Sequence, residues 1–214
     1  GCWFKLSESR IKIIKAIEKT SEKKWLSNAS FFTTISSHYR DKIQNFIGVR
    51  GEVQLNGFFE EDYSQIVADN DVKVFSVVYN GTLYPSQNVE MFITAFLQLI
   101  DSNPDVAIKM RFIGLAFDPV QHKRVKDLIV GYESQFEITK RIPRKKIIRV
   151  QQEANLLIML SHNGVKGIPS SKIYEYLGLK KPILVCPTDN DILEETVSNY
   201  NLGDVVNTER EVLK

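Results

Sequence analysis

Residues 155–177, Asn-Leu-Leu-Ile-Met-Leu-Ser-His-Asn-Gly-Val-Lys-Gly-Ile-Pro-Ser-Ser-Lys-Ile-Tyr-Glu-Tyr-Leu, followed by Pro182-Ile183-Leu184-Val185-Cys186, decide the reading of the fold. Leu156–Leu160 is an unbroken apolar run of strand length. A polar loop with two glycines follows, and then Ile173 and Leu177 recur at helical spacing before a second apolar run. Strand, loop, helix and strand make one βαβ unit, and the run without polar alternation predicts a strand buried on both faces.

The pattern repeats upstream. Val72–Tyr79 is rich in β-branched and aromatic residues, and 87–100 carries Val89, Phe92, Ile93, Phe96 and Leu99 at helical spacing. Strands are expected at 106–113 and 136–139, and helices at 119–130, 144–152, 170–177 and 191–200. Strands separated by helices predict an α/β fold: a doubly wound parallel sheet with helices on both faces. In front, a helix is expected over 7–28, a strand over 31–35, a helix capped by Ser36 or Ser37 and a strand over 52–55. An acidic stretch from Glu60 to Asp71 without Lys or Arg then reads as a linker, which gives a front part of 1–58, a linker of 59–71 and a main domain of 72–214.

The 214 residues are 43% hydrophobic and 25% charged, an ordinary globular profile that excludes disorder, collagen and coiled coil. No apolar run in the second half approaches the ~20 residues that span a bilayer. Cys2 and Cys186 form no disulfide framework, and without a secretory signal in view a cytoplasmic setting is expected. The chain starts at Gly1 and stops inside a charged run, so a piece of a longer protein is expected. The net charge of +2 is uneven: residues 1–50 carry ten Lys or Arg against four Asp or Glu. That basic front is suited to an acidic partner or an anionic membrane face, or is the solvated side of a helix.

There is no G-x-G-x-x-G after a strand, no G-x-x-x-x-G-K-[ST] and no H-E-x-x-H, which argues against classical dinucleotide dehydrogenases, P-loop NTPases and zincins. Ligands of doubly wound sheets bind beyond the carboxyl ends of the strands, which directs attention to three loops. In Asn80-Gly81-Thr82 a glycine permits close approach of a ligand, or simply makes a turn. In 161–176 a helix start with Ser171 and Lys172 is suited to a diphosphate, and Glu175 one turn on to a vicinal diol. Alternatively Ser171 caps the helix and Glu175 answers its dipole. The third loop opens the basic run 140–149. Two Asp-x-Asp triplets, 69–71 and 189–191, read better as turns and caps than as metal ligands, and no metal site is expected.

Together these segments resemble the family 4 retaining glycosyltransferases of the GT-B fold. Ser30–Tyr39 is similar to that family's late amino-terminal strand, Val53–Phe58 to its turn before the interdomain linker, and Val78–Phe96 to the first strand, glycine loop and helix of its donor domain. Ile168–Val185 (IPSSKIYEYLGLKKPILV) is similar to its P-x-x-K-x-x-E-Y-L-x-x-x-K-P-I-L segment. The resemblance implies a Rossmann-like carboxyl-terminal domain preceded by a remnant of the amino-terminal acceptor domain. It implies a nucleoside diphosphate sugar as co-substrate, with UDP as the first guess, and a glycan or lipid-linked glycan acceptor. It implies no metal or other cofactor and no nucleic acid partner, with contact at the inner membrane face.

Carried over by position, Gly81, Thr82, Ser171 and Lys172 would bind the donor diphosphate, Glu175 the ribose and Ile142 the base. His162, Lys166 and Gly167 stand where the donor sugar would be met, and the catalytic residues stay unassigned. The family's phosphate Arg and Lys fall at Thr82 and Gln87, and the first Glu of its Glu-x7-Glu pair falls at Gly167. A non-catalytic module that binds a nucleotide or a partner is therefore the alternative to the enzyme.

Overall fold

The computed structural model describes residues 12–64 and 74–213. The chain divides into two compact units, Gly1–Asn56 and Gly57–Lys214.

In the first unit α1 (Lys12–Leu26) is followed by β1 (Phe32–Thr34), α2 (Ser37–Ile47) and β2 (Gly51–Val53), and the two strands pair in parallel. The Ser36 hydroxyl accepts from Tyr39 N at 3.2 Å and caps α2, and Gly48 in the left-handed region ends it. The apolar side of α1 is not covered: Ile13 and Ile17 are exposed and no residue of α1 is buried. Residues 7–11 of the expected first helix lie outside the described residues.

The second unit opens with the short helix α3 (Glu61–Ser64). Its Tyr63 is buried in the unit's core, so the first half of the stretch expected as a linker packs against this unit. Residues 65–71 of that stretch, and with them Asp69-Asn70-Asp71, lie outside the described residues.

β3 (Phe75–Asn80), α4 (Val89–Ser102), β4 (Ile108–Ile113), α5 (Pro119–Leu128), β5 (Phe136–Ile138), α6 (Arg144–Gln152), β6 (Leu156–Met159), α7 (Lys172–Leu179), β7 (Ile183–Val185), α8 (Ile192–Asn199), β8 (Gly203–Val205) and α9 (Glu209–Val212) follow. The six strands form one sheet in the order β5-β4-β3-β6-β7-β8, all parallel.

Alternation along β3 explains the layers. Val77 and Tyr79 enter one core with Phe92, Phe96 and Val125 from α4 and α5, whereas Val78 enters the other with Ile148, Ile173 and Leu193 from α6, α7 and α8. Helix starts are set locally. Asn88 accepts from Met91 N at 3.1 Å, and Asp118, ahead of Pro119, accepts from Val120 N and Gln121 N. Cys186 is a free, buried thiol whose pKa is pushed up to about 12 by that burial, so it behaves as a small apolar side chain.

The last pair, β8 and α9, lies beyond the elements expected from the sequence. Gly-Asp-Val is too short and too polar to show a strand period, and it pairs only through Leu184 and its neighbours on β7.

Candidate functional site

The sheet reverses its order between β3 and β6. From β3 the chain passes to α4 on one face, and from β6 to α7 on the other, which makes this the switch point where sheets of this kind bind ligands.

Its floor is glycine. Gly81 follows β3 at φ +106° and donates its N–H to Ile113 O at 2.8 Å, and Gly114 follows β4 at φ +93°. A Cβ on Gly114 would lie 3.9 Å from the Gly81 Cα, and one on Gly81 would lie 3.0 Å from Lys172 Cε. Glycine at 81 therefore leaves room for the Lys172 side chain, and both loops keep a backbone conformation that other residues rarely adopt. A cavity of about 280 Å³ remains, lined by Asn80, Gly81, Thr82, Ile113, Gly114, Arg141, Ile142 and Ile147. The structure thus brings together Gly81, Thr82 and Ile142 from loops more than fifty residues apart.

Arg141 joins them unforeseen, its guanidinium carbon 3.5 Å from the centre of the Phe117 ring. The sequence placed it in a basic run otherwise read as a solvated face. Its position next to Ile142 in the loop after β5 was the available signal.

From the β6 side Lys172, the first residue of α7, reaches under Gly81 and sets its ammonium 5.1 Å from the centre of the Tyr79 ring. Among the described residues it has no ion pair and no hydrogen bond. Burial lowers its pKa from the ordinary lysine value, opposed by the charge of Glu175. Ser171 adopts a helical conformation and its hydroxyl makes no capping bond, so the cap expected as its alternative duty does not form.

Glu175 accepts from Arg144 Nη1 at 3.0 Å, and Arg144 Nη2 donates to Asp62 at 2.9 Å. The hydrogen bond to Asp62, followed by that to Glu175, raises the arginine pKa against the effect of burial.

His162 Nδ1 lies 2.8 Å from the Ser86 hydroxyl and its ring packs on Tyr84 at 5.3 Å. Burial, then the charge of Lys172, holds its pKa below the ordinary histidine value. Lys166 and Gly167 are tied elsewhere and do not line the cavity. Lys166 Nζ donates to Asn190 O at 2.6 Å and Gly167 N to the Asp191 carboxylate. Asp189 accepts from the N–H groups of Asp191, Leu193 and Glu194, which makes the triplet 189–191 the start of α8. No group of three or more His, Cys, Asp or Glu converges among the described residues.

Gln87 is a fastener between the two exit loops. Buried at 3% exposure, it donates to Leu160 O at 2.6 Å and accepts from Tyr84 N at 2.9 Å and from the Tyr79 hydroxyl at 3.2 Å. The Tyr79 hydroxyl also donates to Thr82 O at 2.9 Å. Arg124 braces the same loop from α5 through Glu90 and the Gln87 carbonyl.

The sequence profile of the family described as "Glycosyl transferases group 1" matches residues 60–211. The chain belongs to the group 1 glycosyl transferases. Solved structures give the fold of this family member independently. The Anabaena protein Alr3699/HepE, crystallised in complex with UDP-glucose, is similar with a TM-score of 0.69 and 16% identity over 97% of this chain and 58% of that one. The E. coli trehalose-6-phosphate protein bound with UDP-2-fluoro glucose is similar with a TM-score of 0.66 and 10% identity, over 91% of this chain and 53% of that one. No curated protein matches the sequence significantly. The chain thus spans little more than half the length of the solved proteins it matches. The α/β fold, with its parallel six-stranded sheet flanked by helices, is that of GT-B carboxyl-terminal Rossmann-like domains. No helix among the described residues is long and apolar enough to cross a membrane.

Proposed function

We propose that this chain is the donor-binding part of a family 4 retaining glycosyltransferase. It would transfer a sugar from a nucleoside diphosphate sugar, UDP-linked, to a glycan or lipid-linked glycan acceptor in polysaccharide biosynthesis. The observation that carries the reading is Lys172: a desolvated ammonium with no ion pair or hydrogen bond among the described residues, packed against Gly81 at the switch point where sheets of this order bind ligands. UDP-glucose and UDP-2-fluoro glucose in the similar solved structures point the same way.

In this reading the Gly81 and Thr82 backbone, the uncapped start of α7 at Ser171, and Lys172 take the diphosphate, with Arg141 beside them. Glu175 accepts from the ribose hydroxyls and Ile142 lies against the base. His162 faces the donor sugar, while Lys166 and Gly167 shape the loop that borders it. Metal is not needed, because helix start, lysine and arginine neutralise the phosphates. Residues 1–58 belong to the acceptor domain, 59–71 to the connection and 72–214 to the donor domain. The protein works in the cytoplasm at the inner membrane face, without nucleic acid. The chain alone binds nucleotide but does not transfer, because one wall of a cleft does not provide proximity.

Thermal unfolding with UDP tests this: a ligand at 100 times its Kd stabilises by about 2.7 kcal/mol. The shift is expected to persist in EDTA, and its absence with UDP, or its collapse in EDTA with recovery on Mn²⁺, refutes the respective claim. Gln87 favours a second reading, a binding-only module, since its polar atoms are spent within the fold where the family has a phosphate lysine. Transfer by the full-length parent protein decides between the two.

A further inference from the structure

We propose that Arg144 is a positioning residue for ribose recognition: it fixes one oxygen of Glu175 so that the other is presented to the vicinal diol of a nucleoside. The inference rests on the reading of Glu175 as the ribose acceptor.

The geometry is that of a divided fork. A guanidinium that serves a single carboxylate does so with two parallel bonds and occupies both of its oxygens. Arg144 instead gives Nη1 to Glu175 Oε1 at 3.0 Å and Nη2 to Asp62 Oδ2 at 2.9 Å. Glu175 Oε2 has no donor among the described residues. The carboxylate is therefore anchored and still half vacant.

Stability is a weak reason for the arrangement. The side chain of Arg144 is 54% exposed and that of Glu175 30%, and exposed pairs contribute little to folding. Immobilisation is what the pair does achieve. A free glutamate samples many rotamers, whereas one held to the first residue of α6 has its ordering cost met before the ligand arrives. A second effect acts in the same direction. Arg144 compensates the charge of Glu175 beside Asp62 and Tyr63, whose hydroxyl is kept protonated by burial and by Glu175. The guanidinium charge thereby offsets the repulsion between this carboxylate and an incoming phosphate.

The 214-residue chain tests the inference by calorimetry with UDP and 2′-deoxy-UDP. The unsubstituted chain is expected to prefer UDP. Arg144→Ala is expected to bind UDP roughly 5- to 20-fold more weakly and 2′-deoxy-UDP almost unchanged, so the preference shrinks, as for coupled groups in a mutant cycle. Arg144→Lys should restore part of it, since an ammonium holds Glu175 as a point charge without the planar fork. Asp62→Ala tests the division of the fork: it frees Nη2 to close on Glu175 Oε2, so the preference should shrink there too.

Arg144→Ala with an intact preference, or with tighter UDP binding, overturns the inference and makes the arginine a plug or a surface pair. An unchanged preference in Asp62→Ala also overturns it, because the free oxygen of Glu175 would then owe nothing to the divided fork. If Arg144→Ala does not fold, Arg144→Gln gives the same readout with a side chain of similar reach. Failure of the underlying reading looks different: Glu175→Ala keeps the preference, or the unsubstituted chain shows no UDP binding.

Discussion

Two cavities at opposite ends of the sheet differ in what lines them. One of about 710 Å³ lies at the amino end of β4, among Asp101, Asn103, Asp105, Ile108, Gly131 and Tyr132. The other, of about 280 Å³, lies at the carboxyl ends of β3 and β4. In the larger one the polar groups answer each other: the Tyr132 hydroxyl meets both Asp101 oxygens at 2.9 Å, and this contact raises the tyrosine pKa. The smaller one is lined by two glycines and an arginine held on an aromatic face, and behind Gly81 stands the Lys172 ammonium, which has no ion pair among the described residues. Space is a property of turns, whereas unmet charge is a property of sites. Size favours the amino end of the sheet, whereas unmet charge favours the carboxyl end.

The strongest way to break this contrast is to treat Gln87 as a lost phosphate ligand and restore the lysine. If the position served phosphate, Gln87→Lys would tighten nucleotide binding. The hydrogen bonds instead predict loss of fold stability by about 3 kcal/mol or more in urea unfolding, because three partners lose their bonds and a charge is buried.

Next in size is Lys172→Met, which is expected to weaken UDP binding about 10- to 100-fold, the worth of a charged hydrogen bond or two. Asp101→Ala at the larger cavity should leave that affinity unchanged. Without nucleotide, Lys172→Met should be no less stable than the parent. The pH dependence has a definite sign. A lysine whose folded pKa is lowered binds fewer protons folded than unfolded, so the parent gains stability as pH rises from that lowered value to the ordinary one. In Lys172→Met this gain should disappear. Smaller again is Arg141→Ala, expected to reduce UDP affinity about 3- to 10-fold through loss of one exposed cation beside the phosphates.

The scaffold of these effects was legible in the sequence wherever periodicity and turn chemistry agreed. Helix 144–152 is found at its expected ends, and strand 136–139 and helix 191–200 differ from theirs by one residue at an end. The helix expected over 170–177 is found at Lys172–Leu179, with Ser171 just before it and without a capping bond. Pairing was not legible in β8, whose three residues are held by β7.

At the site, residue types identified Gly81, Lys172 and Glu175 as candidates, since glycine, lysine and glutamate next to a helix start have few common duties. Partners separated by long stretches of chain were invisible: Arg144 and Asp62 around Glu175, Phe117 under Arg141, Leu160 on Gln87. Lys166 and Gly167 illustrate the reverse case. Position in the family's pattern suggested contact with the donor sugar, and the structure shows both bonded at the start of α8, to Asn190 and Asp191.

The smallest expected effect concerns His162, and it sharpens the contrast by asking whether the smaller cavity is tuned for an anion. The ring is packed on Tyr84 and bonded to Ser86, and Lys172 is the cation that acts on it. With its folded pKa below the ordinary ~6.5, the unfolded chain binds more protons just below that value, so the nucleotide-free fold loses a little stability as pH falls through this window. A diphosphate beside Lys172 reverses the local field. It favours imidazolium, so UDP binding near pH 6 should be accompanied by uptake of a fraction of a proton. Calorimetry in two buffers of different ionisation enthalpy measures that fraction. His162→Gln should abolish it while reducing affinity only about twofold, the size of one weak contact. Uptake that persists in His162→Gln would place the proton on another group of the protein, because a phosphate held by cations releases protons instead of gaining them. His162 would then border the site without sensing what occupies it.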